Sequence, residues 1–413
     1  MKLLLPLAAS LLAATVPLDD EEPEFVRPDP TECSVCAADP ARMEKAGIVS
    51  HGEFRFGETD TEIVSRLFSG IPIRWIEGPH VKLGFADVEY DFWFGGGGGS
   101  DPDDDPRQPG DRGKGGIRQL GNGALTLEPW AKAHVYLERA EALYTRVAEL
   151  LDVEPDDLPT LNDYDEPIPA KNHRGKYMGE GPHLGQAAKF EILLLPGAEQ
   201  WDVYLKDARG LDEADSLLHL VPSTDAFGIT IHQMDGDMWD DDVLHGYMAH
   251  LFTHALIDSY RHYSYAGPLW ISSGLAHMLE REINYERNTF CGGNPTTADA
   301  RELHDWTAEA KKLASKKKAT SLAELLTRDS HRDFTLADHV TSWSMVTYLV
   351  TEFPEAFAGI NADVRGLSKG KQPVDAMTLA RAHSDAFARH LGWTYEEFDK
   401  AWAKWAKKQK KRR

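Results

Sequence analysis

His250 and His254 are the residues of this chain whose type and spacing point most directly to chemistry. They sit in a run from Asp240 to Asp258 that has no Pro and only Gly246 as a glycine, with apolar residues spaced to suit a buried helix. Residues four apart share one face of a helix. Two imidazoles at that spacing can hold one zinc ion. Where such a pair hydrolyses peptides, a Glu directly after the first histidine acts as general base on the metal-bound water. Leu251 stands at that position here.

A second segment follows, running Pro268-Leu269-Trp270-Ile271-Ser272-Ser273-Gly274-Leu275-Ala276-His277 and on to Glu280. Together the two segments resemble the gluzincins, specifically the exported peptidase MA-like relatives of thermolysin and the zinc aminopeptidases. In that family a His-Glu-x-x-His helix is followed by a Trp-x-x-Glu-Gly helix whose Glu is the third zinc ligand. The likeness covers roughly residues 190–349 and is carried by Pro268-Leu269-Trp270, Gly274-Leu275-Ala276 and the paired histidines. It implies a mixed sheet packed on helices and a zinc at His250 and His254. It places the third ligand on Ser273, nineteen residues after His254. Both acidic positions therefore depart from the family pattern.

A catalytic zinc needs about three protein ligands, an open position for water and a base to take the proton. Leu251 takes no proton at any pH, and the Ser273 hydroxyl is neutral where the family has an anion. His277 lies four residues beyond Ser273, about 6 Å along the same helix, so a three-histidine site of His250, His254 and His277 is the alternative. Asp258 shares the paired-His helix about 12 Å from His250, too far to close on the same ion. His245 and His262 lack the phase, and a base would have to be Glu280 or an Asp delivered by the fold.

Cys33-Ser34-Val35-Cys36 is the other motif, and Cys291 is the only further cysteine. A Cys-x-x-Cys serves as a redox pair, half of a zinc site or a small disulfide. No second cysteine pair completes a zinc ribbon, and Ala37 stands where haem attachment needs histidine. The pair lies in a Pro- and acid-rich lead, so a local Cys33–Cys36 disulfide is expected, with Cys291 a spare thiol. His51 and His80 read as isolated polar residues.

The supporting elements follow from composition and periodicity. The chain has 413 residues, 42% of them hydrophobic, and a formal charge of -22. That length can bury a real core, and that charge argues against nucleic acid as a partner. Residues 1–16 read as an export signal, and no later stretch is long and apolar enough for a transmembrane segment, which points to a periplasmic or extracellular protein. Residues 17–94 hold the Cys-x-x-Cys and strands around Phe54, Phe56, Trp75 and 81–94, with turn signals at Gly70, Gly78-Pro79 and Gly84. Residues 95–125 are a Gly-, Asp- and Pro-rich linker; the alternating Asp101, Asp103 and Asp105 do not make a calcium loop, because Pro106 and Arg112 stand where Gly and Glu are required. Residues 126–290 form the zincin-like core, with a helix over 130–151, strands over 189–195 and 226–231 and a helical stretch over 199–208. Residues 291–413 are helical, with a capped start at Ser321, an apolar helix over 339–353 ended by Pro354, and a basic tail.

The expected architecture is α+β: a zincin-like core, a strand-bearing N-terminal unit and an all-helical C-terminal unit. Three functions are compatible with the motifs. The first is an exported, catalytically inactive metallopeptidase-like protein that binds peptide or cell-envelope material; Leu251 and Ser273 favour it. The second is a zinc-dependent hydrolase with reassigned ligands, and the third a thiol-redox protein using Cys33 and Cys36.

Overall fold

The computed structural model describes residues 27–57, 59–68, 71–86, 117–119, 125–153, 189–208, 218–221, 226–232, 240–260, 267–291, 295–297, 300–301, 303–367 and 375–410. The expected export signal, the three alternating aspartates of the linker and His262 lie outside them.

The fold is mixed α+β, with one five-stranded sheet and a helical remainder. A 3-10 turn at Pro30–Glu32 and a short helix α1 (Pro40–Lys45) open the described chain. A two-stranded pair β1 (Arg55–Phe56) and β2 (Thr59–Asp60) follows, and Asp60 then caps α2 (Thr61–Arg66) by accepting from the Ile63 N–H. Next come β3 (Ile73–Glu77) and β4 (Val81–Ala86), then a small hairpin of β5 (Ile117–Gln119) and β6 (Leu125–Leu127). Helix α3 (Pro129–Leu150) starts where sequence rules place it, with Pro129 in the first turn and the Glu128 carboxylate accepting from the Trp130 and Ala131 N–H groups. Strand β7 (Phe190–Leu195), helix α4 (Ala198–Val203, continued by a π-turn to Ala208), β8 (Leu218–Val221) and β9 (Ala226–His232) complete the sheet.

The strand order is β3-β4-β7-β9-β8, with β4, β7 and β9 parallel and both edges antiparallel. Parallel neighbours need long crossovers, and α3 lies on the β4-to-β7 connection. Central strands covered on both faces read as continuous apolar runs rather than alternating ones, which is why Phe-Glu-Ile-Leu-Leu-Leu is buried throughout. One face, with Leu83, Phe85, Ile192, Leu194 and Ile231, packs on Tyr136, Ala140 and Tyr144 of α3 and on the paired-His helix. The other, with Trp75, Leu193 and Leu195, is covered by Phe54, Phe56, Phe68, Trp201 and Tyr204. Gly84 is no turn: it lies inside β4 opposite Trp75, and an added Cβ would come within 2.5 Å of the indole. The strand gives up a side chain there so that the large ring can lie across it.

The paired-His helix α5 (Asp241–Ser259) starts at the Asp240 cap; its first residue, Asp241, is a buried carboxylate gripped by both Arg139 guanidinium nitrogens (2.7 and 2.6 Å) and by the Tyr136 hydroxyl (2.9 Å). Helix α6 (Leu269–Ile283) packs between α5 and the later helix over Leu336–Glu352. The C-terminal part holds α7 (Trp306–Lys316), α8 (Leu322–Leu325), α9 (Leu336–Glu352), α10 (Pro354–Arg365), α11 (Ala376–Leu391) and α12 (Tyr395–Ala406), with no strand among its described residues. The Ser321–Glu324 capping box is present, and a second box of Thr335 and Asp338 starts α9 three residues before the apolar pattern does. Pro354 ends α9 and opens α10. Lys404, Lys407 and Lys408 from the basic end line a groove of about 640 Å³ with Lys317, Lys400 and Trp402. Among the described residues, no helix is long and apolar enough to cross a membrane.

His383 ties the C-terminal helices to the core. The Trp270 indole N–H donates to His383 Nε2 (3.2 Å), so Nδ1 carries the proton and donates to the Tyr395 hydroxyl (2.8 Å). Burial holds the group down to about 3, because a second ring proton would face the indole N–H. The folded value lies below the unfolded one, near 6.5, so this stabilisation is present above about pH 6.5 and is lost as pH falls toward 3. Between pH 7 and 5 this group alone lowers stability by about 2 kcal/mol. Urea midpoints measured across that range should fall less steeply in His383→Gln; an unchanged slope would show that His383 is not buried in neutral form.

Candidate metal centre

The antiparallel crossing of α5 and α6 brings their histidines face to face, and later segments add two more. His250 Nδ1 lies 2.9 Å from Glu280 Oε2, and His277 Nδ1 lies 3.3 Å from the same oxygen. The carboxylate only accepts, so both Nδ1 atoms carry protons. His277 Nε2 is then an acceptor, and His339 Nδ1 donates to it at 3.0 Å. The second Glu280 oxygen accepts from the Thr289 N–H (2.7 Å) and hydroxyl (2.5 Å). Cys291 Sγ stands 3.5 Å from His250 Nε2, and Ser273 Oγ 3.3 Å from His331 Nδ1. The His254 ring packs between those of His250 (5.0 Å) and His331 (5.1 Å), and its buried Nε2 has no hydrogen-bond partner.

All of this is out of water: His250, His254, Ser273, His277 and Glu280 are each at most 3% exposed. Burial resists charging His250, but Glu280 and then Cys291 overcome it and hold the imidazolium up at about 10. Burial, then the charge on His250, push His254 and His277 well below the ordinary histidine value. The same causes bring His331 to about 4, while burial and then His331 and His250 bring His339 to about 3. One charged imidazole thus rests on one carboxylate among neutral neighbours.

This cluster offers a metal a defined cradle. Ligand atoms of His250, His254 and Cys291 lie within 4.8 Å of one another. Glu280 holds a proton of His250 on Nδ1, so an ion that displaces the second proton of the imidazolium would meet Nε2, the way outer carboxylates orient zinc-binding histidines. The unpartnered His254 Nε2 is the second donor, and two imidazoles with a thiolate suit zinc. His277 has both nitrogens engaged, by Glu280 and His339, and the group of possible ligands it joins is with His250 and Glu280 rather than with His250 and His254. The Cys291 thiol is free, as expected, and faces His250. Asp258 faces away, onto Arg365 (3.1 Å). Spacing along the sequence did not reveal Cys291, His331 or His339, which lie 41 to 89 residues beyond His250 and are brought in only by the packing of α6, α9 and the segments between them.

The expected disulfide is not formed. Cys33 and Cys36 are free thiols with sulfurs 3.5 Å apart, whereas a bonded pair lies near 2 Å. Burial pushes the Cys36 thiol up to about 11, opposite to what a redox nucleophile requires. His51 is not isolated either, lying 3.2 Å from Cys36 Sγ. His80 pairs with Glu141 (2.7 Å) and stacks on Tyr144 at 4.1 Å.

The sequence matches no known family model, and no curated protein is significantly similar to it. The reading of the site therefore rests on its residues and geometry.

Proposed function

We propose that this chain is an exported, zincin-like binding protein whose metal centre on α5 and α6 does not hydrolyse peptides. One observation carries the reading: the two positions where the family has its acidic residues, and the one carboxylate that touches the paired histidines among the described residues, are already committed. Leu251 is buried in the apolar core at the family's base position, Ser273 is engaged with His331, and both oxygens of Glu280 are taken by His250, His277 and Thr289. A zinc ion held by His250, His254 and Cys291 would supply Lewis acidity and a cross-link. The surrounding side chains orient the histidines, and Ser273 and Glu280 are already engaged there.

The order of elements supports the zincin comparison: β9 leads to the paired-His helix, which crosses α6 and packs on α3 and the sheet. Strand β8 is one of the two edge strands of the described sheet and runs antiparallel to β9. An extended peptide adds to such an edge through backbone hydrogen bonds, and it is the occupant expected here.

The test is zinc content after loading and dialysis, paired with a peptidase screen. His254→Ala and Cys291→Ser should each lose one zinc relative to wild type, and none of the three proteins should cleave peptides above the buffer rate. Cleavage that His254→Ala abolishes would overturn the non-hydrolytic reading, and equal zinc in wild type and His254→Ala would remove the centre. Calorimetric titration with unstructured peptides should give saturable heat; none would exclude peptide as the occupant.

A further inference from the structure

We infer that Cys33, Cys36, His51 and His134 form a second metal site, a structural zinc centre that clips the N-terminal segment onto helix α3. The four residues come from three places in the chain: the loop before α1, the turn before β1 and the second turn of α3. Cys33 Sγ lies 3.2 Å and Cys36 Sγ 3.4 Å from His134 Nε2, and the sulfurs are 3.5 Å apart. Zinc–sulfur and zinc–nitrogen bonds of the usual lengths give a tetrahedron with edges of about 3.5 to 3.8 Å, so these three atoms already sit at the corners of one face. His51 Nε2 reaches the edge at Cys36 (3.2 Å), and a swing of its ring toward Cys33 supplies the fourth corner.

The backbone around the cysteines is shaped for thiolates. The Cys36 N–H donates to Cys33 Sγ at 3.5 Å. The Ala37 N–H meanwhile closes the turn on the Cys33 carbonyl (2.9 Å). Ala37 and Ala38 adopt φ of 50° and 52° to do this, a left-handed conformation that residues with a Cβ avoid unless the surroundings enforce it. Thiol–imidazole hydrogen bonds alone do not call for two strained alanines and a backbone N–H aimed at sulfur.

The surroundings are those of a closed structural site. Cys33 and Cys36 are at most 1% exposed and pack with Trp130 and Met43. The Ser34 hydroxyl donates to Glu128 (2.8 Å), the carboxylate that caps α3, so the loop is fixed to the same helix end by a second contact. On binding, the two thiols release their protons and the two thiolates balance the charge of Zn²⁺, leaving a neutral centre that tolerates burial. Four protein ligands fill the coordination sphere, which marks a structural rather than catalytic ion.

The experiment uses the full chain carrying His254→Ala, so that metal at the α5–α6 centre does not contribute. This protein should retain one zinc per chain, and X-ray absorption should show two sulfur and two nitrogen neighbours. Adding Cys33→Ser and Cys36→Ser, or His134→Ala, should remove the zinc, whereas His134→Cys should keep it. Cobalt substitution should give the intense visible bands of a tetrahedral thiolate site. An unchanged zinc content in the Cys33→Ser/Cys36→Ser protein, or zinc-free protein with an oxidised Cys33–Cys36 pair, would overturn the proposal. Because the absorption measurement leaves these four residues intact, it decides the matter even if the cysteine variants do not fold. Failure of the α5–α6 centre appears separately, as equal zinc in wild type and His254→Ala.

Discussion

Gly274→Ala should destabilise the protein by about 3 kcal/mol or more, at the upper end of the cost of overpacking a core. A Cβ at this position would lie 2.6 Å from the Ser342 carbonyl oxygen and 2.6 Å from Val346 Cγ2. The first neighbour is backbone of α9 and has no rotamer to escape into, so α6 and α9 must separate. Gly246, on the adjoining helix, is the internal control. Its nearest neighbours would be 3.7 and 3.8 Å away, ordinary contact, and it sits in the interior of α5. Gly246→Ala should therefore stabilise by about 0.5 to 1 kcal/mol, through helix propensity. Urea unfolding of the two variants should move in opposite directions. A neutral Gly274→Ala would show that α6 and α9 do not approach as closely as described.

The second large effect is expected at Glu280. Its four hydrogen-bonding contacts go to His250, His277 and, twice, Thr289, all in a buried setting. Glu280→Ala removes the carboxylate counter-charge of the His250 imidazolium and strands the other donors, at a cost of about 3 to 5 kcal/mol. Glu280→Gln keeps one acceptor oxygen and should fall between Ala and wild type. The outer carboxylate also orients His250, so zinc held at the α5–α6 centre should bind about 10- to 100-fold more weakly in Glu280→Gln. Chemical unfolding of the metal-free proteins and competition with a chromogenic chelator measure the two effects independently. Wild-type stability in Glu280→Ala would show that the carboxylate does not support the cluster.

Much of this was legible in the sequence wherever the signal is local. The apolar periodicity of residues 130–151 and 240–258, the Ser321–Glu324 box and the apolar run at 189–195 each report on a single element, and the elements formed accordingly. The paired histidines were visible for the same reason: four residues along a helix is a local distance. The sites themselves join elements far apart in the chain. His134 meets Cys33 across 101 residues, and His339 meets His277 across 62, and no periodicity encodes those meetings. A Cys-x-x-Cys without a second cysteine pair suggested a disulfide because its partners are histidines, one in a turn and one on an otherwise ordinary amphipathic helix. Gly84 misled in a related way: a glycine signals a turn locally, while here the reason for it is the indole of a neighbouring strand.

The burial of Leu251 also bears on how readily such a protein could acquire hydrolysis by mutation. A Glu at that position would enter the apolar core that Leu251 now occupies at 3% exposure, and an unpaired carboxylate there carries a desolvation cost of several kcal/mol. A ligand restored at Ser273 would have to displace His331 as well. Each change alone lowers stability and brings no activity, so selection has no favourable first step. On the non-hydrolytic reading proposed above, a gain of catalysis would need at least two coordinated replacements and a compensating gain elsewhere in the core.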